Sequence, residues 1–121
     1  MSTFRTLDPL VEVLAFYAAM RNYGYIDRLS NALNEVAVYE ALNDILRDYY
    51  SQCVDREDKC VEVSANVKYR CPTFDARALE DAIVKFMERV RGQPGYVLVR
   101  ETRELALAAY ARKPKALESR C

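Results

Sequence analysis

Between Asn22 and Tyr50 the large apolar residues fall at helical spacing: Ile26, Leu29 and Leu33, then Val38, Leu42, Ile45, Leu46 and Tyr49. Steps of i, i+3, i+4 and i+7 draw one apolar stripe along a helix and leave Asp27, Arg28, Glu35, Asp44 and Arg47 largely on other faces. A stripe of this length is stable only against partners, so the rest of the chain must supply the elements that cover it. The pattern predicts the central core element of a small helical domain. Ser30, Asn31 and Asn34 are weak helix formers, which predicts a break with Asn34 capping a second segment from Glu35 to Ser51.

The flanking chain provides the partners. Residues 1–7 read as a short arm. Asp8 followed by Pro9 is an N-cap with proline at the first helical position, where a missing N–H costs nothing. The helix it opens is predicted to run to about Asn22 and to be buried on more than one side, because Val11 and Phe16 widen the face formed by Leu10, Val13, Leu14, Tyr17 and Ala18. Gly24 is the expected left-handed C-cap. From Val61 to Cys71 the period changes to two, predicting a hairpin over about residues 60–71 with its turn at Ser64-Ala65-Asn66. Asp75 should cap the next helix, with Phe74 packing back on Leu79 as a staple, and Leu79, Ile83, Phe86, Met87 and Val90 as its apolar face. Gly92-Gln93-Pro94-Gly95 stops that helix. A last helix is expected from about Val97 to Lys113-Pro114, with Leu105, Ala108, Ala109 and Arg112 at helical spacing, followed by a loose basic tail. One domain over residues 1–121 follows: mainly α, a four- to five-helix bundle with a small β-hairpin insertion.

Composition bounds the function. The 121 residues are 51% hydrophobic and 30% charged, which is globular and far from disordered. No apolar run approaches the roughly 20 residues of a membrane span, and the start lacks a signal-peptide core, so a soluble cytoplasmic protein with no membrane partner is expected. Formal charge is zero, with 18 basic and 18 acidic residues. The layout is uneven: residues 1–52 carry four basic and seven acidic side chains, whereas the segment from Ala108 carries four basic against one acidic. A free-standing nucleic-acid binder usually carries net positive charge to displace counterions, so this balance points to a subunit.

Catalysis lacks its usual parts. The chain contains no histidine, no glycine-rich phosphate loop and no paired carboxylates away from helix surfaces. A cysteine nucleophile would have no histidine beside it. Neither an enzyme nor a cofactor is expected. Cys53, Cys60, Cys71 and Cys121 include no CxxC pair, which disfavours zinc. Free thiols and a disulfide both remain open, the latter joining Cys53 to Cys60 or to Cys71 across the loop they flank.

Nine tyrosines stand out, since Tyr23, Tyr25, Tyr49, Tyr50, Tyr69, Tyr96 and Tyr110 have faces on which bases stack. Most tyrosines at helical spacing serve core-edge packing instead, and Tyr49 and Tyr50 are assigned there. Lys68 and Arg70 on the hairpin, with Arg89, Arg91, Arg100 and Arg103 around the Gly92–Gly95 turn, are the candidate phosphate contacts.

Three segments carry a family resemblance: Tyr25-Ile26-Asp27-Arg28-Leu29-Ser30-Asn31-Ala32-Leu33 with the following Tyr39-Glu40-Ala41-Leu42, Pro72-Thr73 before the third main helix, and Leu105 to Ala111. Together they resemble the small subunit of archaeal type I-A CRISPR effector complexes. The resemblance implies a non-enzymatic subunit that self-associates in a filament-like stack along larger backbone subunits and helps hold crRNA and target DNA. The acidic start and basic end suit head-to-tail stacking, which is heterologous by construction. Two readings from other classes compete: a helical coat protein of an archaeal filamentous virus, which should carry a longer basic arm than Arg5 offers, and a small regulator that binds only protein.

Overall fold

A computed structural model describes residues 4–5 and 7–121. Five helices and one hairpin follow in the order α1 (Pro9–Ala19), α2 (Gly24–Ser30), α3 (Glu35–Tyr49), a π-helical turn (Tyr50–Val54), β1 (Cys60–Ser64), β2 (Val67–Arg70), α4 (Ala76–Val90) and α5 (Gly95–Leu117). Of the arm at residues 1–7, Met1–Thr3 and Thr6 lie outside the described residues, while Phe4 packs on Phe86 with ring centroids 5.9 Å apart.

The most enclosed element is α1, which buries nine of its eleven residues. It packs chiefly along α5 and also meets α4 and α2, while α3 packs on α2 and α4. The centre of the core is therefore α1, and the long stripe of α2 and α3 forms one of its walls. The widened apolar face of α1 is the reason, since a helix apolar around most of its circumference cannot lie at the surface. Within the stripe, Ile26, Leu29, Val38, Leu42, Ile45 and Tyr49 are buried, whereas Leu33 is 79% exposed. The break after Ser30 rotates Leu33 away from the core, and Ala32 is buried in its place.

Two caps stand where local chemistry demands them. The Asn34 side chain accepts a bond from the Ala37 amide, and Asp75 accepts from Arg77. Other junctions differ from expectation. α1 ends at Ala19, and the left-handed residue after it is Arg21 (φ 60°), not Gly24, which instead opens α2. The turn between α1 and α2 closes through the Arg21 and Asn22 amides onto Ala18 and Tyr17, so the positive φ falls two residues after the helix. Phe74 stacks on Tyr49 at 5.5 Å, a longer-range partner than the staple expected with Leu79.

The hairpin is antiparallel, its strands joined through Ala65 and Asn66, with Asn66 at φ 66°. The expected loose tail instead runs beside β2 and makes an isolated antiparallel bridge to it. Arg70 N–H donates to the Ser119 carbonyl, Cys121 N–H donates to the Lys68 carbonyl, and Tyr69 pairs with Arg120. Two disulfides fix this end: Cys53–Cys71, with Cα atoms 5.9 Å apart, and Cys60–Cys121, at 6.5 Å. Cys60 thus pairs with Cys121 and not with Cys53. α5 also runs through Pro114 to Leu117 instead of stopping there. Proline in that position costs one ladder bond close to the end of a 23-residue helix.

Candidate nucleic-acid interface

α5 rises about 1.5 Å per residue, so Gly95 and Leu117 lie about 33 Å apart. The hairpin is tied to the C-terminal end of this rod and the Gly92–Gly95 turn sits at the other. Lys68 and Arg70 therefore belong to one end of the molecule, and Arg89, Arg91, Arg100 and Arg103 to the other.

At the turn, α4 ends in Arg91 and Gly92 takes a left-handed φ of 71°. The Gly92 N–H donates to Glu35 Oε1 at 2.8 Å, which holds the turn against the start of α3. The first turns of α5 then place Tyr96, Arg100 and Arg103 on one face, at helical steps of four and three. With Gly95, Val99 and Glu104 they line an open concavity of about 460 Å³. Tyr96 is 70% exposed there.

The opposite side of the same helical segment is buried through Leu98, Glu101, Thr102 and Leu105. Thr102 is satisfied by its own helix, its hydroxyl donating to the Leu98 carbonyl at 2.9 Å. Glu101 is 5% exposed, with carboxylate oxygens 3.6 Å from the Arg89 guanidinium and 3.7 Å from that of Arg100. One buried anion thus draws a cation from the end of α4 and one from α5 together. Arg89 also lies over the Phe4 ring, 5.0 Å from its centroid. Arg91 and Arg103 are exposed and make no ion pair among the described residues. Sequence reasoning missed Glu101. Its only signal is position: it stands three residues after Leu98 and four before Leu105, inside the apolar stripe.

The hairpin candidates are differently placed. Lys68 and Arg70 are exposed on β2, while Tyr69 between them is half-buried against the core. Arg70 borders two neighbouring clefts of about 300 and 400 Å³, one toward α1 and α5 and one toward Tyr49 and Phe74.

Tyrosine environments sort the stacking candidates. Tyr49 is buried. Tyr25 donates its hydroxyl to Asp48, and Tyr50 donates to Glu80. Tyr23 and Tyr110 stack on each other at 5.9 Å, and Lys113 donates to the Tyr23 hydroxyl at 2.5 Å. Burial, reinforced by the hydrogen bond to Asp48, pushes the Tyr25 hydroxyl well above the usual range; burial does the same for Tyr17, helped by the Asp48 charge. For Tyr50 the hydrogen bond to Glu80 is the leading cause of an upward shift. Of the seven tyrosines singled out, Tyr96 presents the most open ring, and it is the one beside two arginines.

An aromatic face flanked by guanidinium groups can stack a base and meet phosphates. The family model described as CRISPR-associated protein (Cas_Csa5) matches residues 13–117, a span that includes every basic candidate. No curated protein and no solved structure matches the chain. With nearly its whole length matched, the chain belongs to the Cas_Csa5 family of CRISPR-associated proteins, a small-subunit family typical of type I-A systems.

Proposed function

We propose that this chain is a non-enzymatic small subunit that stacks head-to-tail on larger backbone subunits and contacts the crRNA–target duplex or the displaced DNA strand. The observation that carries the nucleic-acid contact is the exposed Tyr96–Arg100–Arg103 face of α5, which follows an exposed Arg91 at the end of α4. Lys68 and Arg70 are a second contact at the far end of α5, placed to reach nucleic acid held along a row of copies. The charge layout supports stacking, because the acidic first half of one copy can meet the basic end of the next. A chain without histidine or a phosphate loop supports a binding role over catalysis. Membership of a CRISPR-associated family favours this reading over a viral coat protein or a regulator that binds only protein.

Each copy offers few phosphate contacts, so the isolated chain should bind nucleic acid weakly and an aligned row of copies more tightly. Tyr96→Ala and Arg103→Glu, each introduced into the assembled complex, should weaken target binding with the isolated subunit's melting temperature unchanged. Loss of a base stack is worth about 1–3 kcal/mol per base, or roughly fivefold or more in affinity. Both variants binding target as wild type would remove α5 from the interface.

A further inference from the structure

The two disulfides occupy different environments. Cys53 and Cys71 are 2% and 5% exposed, at the floor of the cleft that they line with Tyr49 and Phe74. Cys60 is also buried at 6%, but its partner Cys121 is exposed. Thiol–disulfide exchange needs a thiolate to approach one sulfur in line, so access sets which bridge reacts first.

What the Cys60–Cys121 disulfide holds is a short extended segment bridged to β2. The Ser119 carbonyl accepts from Arg70 N–H at 2.6 Å, and the Lys68 carbonyl accepts from Cys121 N–H at 3.1 Å. Residues 118–121 are all exposed and contribute nothing to the core. The helix leading to them contains Pro114, which cannot donate to the Tyr110 carbonyl, so its last turn lacks one ladder bond. An exposed segment outside the core, held by two backbone hydrogen bonds to β2, stays ordered only when tied down. The hairpin has separate anchorage, since Cys71 directly follows β2 and is bridged to the π-helical turn.

We propose that Cys60–Cys121 is a reducible latch. A dithiol reductant opens it before Cys53–Cys71, and its opening releases residues 119–121 and uncovers the edge of β2. In the step, a thiolate of the reductant attacks Cys121 Sγ and forms a mixed disulfide, while Cys60 leaves as a thiolate and takes up a proton. The second thiol of the reductant then attacks its own sulfur of the mixed disulfide, Cys121 departs and is protonated, and the reductant ends as a cyclic disulfide. Two electrons and two protons pass to the protein. The Lys68 carbonyl and the Arg70 amide are left on an open strand edge, between two exposed cationic side chains.

The test titrates the full chain with dithiothreitol, traps thiols with iodoacetamide, and follows amide hydrogen exchange on the same samples. The latch predicts alkylation at Cys60 and Cys121 while Cys53 and Cys71 remain linked, with exchange at the Arg70 amide at least about tenfold faster and the helical circular dichroism unchanged. Cys60→Ser with Cys121→Ser should show the same fast exchange with no reductant present. Alkylation of Cys53 and Cys71 first, or together with the other pair, would overturn the proposal. So would an Arg70 amide that stays protected once Cys60 and Cys121 are both alkylated.

Discussion

Glu101 illustrates what a single side chain decides in this molecule. Its carboxylate sits in the apolar stripe of α5, almost out of solvent, with Arg89 and Arg100 on either side. Both arginines are more than a third exposed, so solvent screens much of the attraction. Glu101→Gln keeps the shape and removes the charge, and should cost roughly 1 kcal/mol of stability, read as a melting temperature a few degrees lower. An unchanged melting temperature would mean the buried charge holds nothing in place. At this scale the sequence is informative wherever the cause is local. Asn34 and Asp75 cap because a short side-chain acceptor before an apolar run can reach the next amides. Gly24 departs from expectation because glycine permits a left-handed turn without requiring one, and the chain places its positive φ on Arg21.

Among the elements, α1, α2 and α3 are joined by a tyrosine cluster. Tyr17 and Tyr25 meet edge to face at 5.2 Å, and Tyr25 donates to Asp48 on α3. Both hydroxyls have folded-state pKa values raised above the value of about 10 of an unfolded tyrosine. The protonated form is the one the fold favours, so this contribution is fully present below about pH 10 and is lost as pH rises further. The urea midpoint should therefore fall above about pH 10, and tyrosinate absorbance should stay incomplete until the chain unfolds. All nine tyrosines titrating together in the folded protein would contradict it. Just beyond this same C-terminal end of α3, the hairpin depends on Cys53–Cys71, whose cysteines are 18 residues apart. Replacing both cysteines by serine should cost about 3 kcal/mol through the freed unfolded chain. A variant that melts with the wild type would show the hairpin to be held without this bridge. The hairpin itself is legible, because alternation and an asparagine turn are local signals. The tail segment bridged to it is not. Cys60 and Cys121 lie 61 residues apart, four cysteines allow three pairings, and no periodicity in residues 118–121 marks a partner. Pro114 misleads in the same way, since a proline reads as a helix stop from its neighbours alone, whereas here α5 continues past it to Leu117.

Across the whole molecule, α5 separates two basic ends by about 33 Å. The cations are visible in the sequence but their placement is not, because distance along the chain does not say that Arg89 and Arg100 share Glu101 while Lys68 and Arg70 sit a helix length away. Mainly helical architecture is readable from apolar period; the identity of the central helix needs the packing, which chooses α1 over the longer stripe. Arg91 and Arg103 are the cleanest probes of the interface, being exposed and outside any ion pair among the described residues. The decisive measurement is target affinity of the assembled complex as a function of salt, for wild type and for Arg91→Glu with Arg103→Glu. If these arginines meet phosphates, the double variant should assemble normally and bind more weakly. Its log–log salt slope should be shallower by about one unit for each phosphate that a copy no longer meets. Affinity and slope identical to wild type over the whole salt range would contradict a nucleic-acid interface at this face.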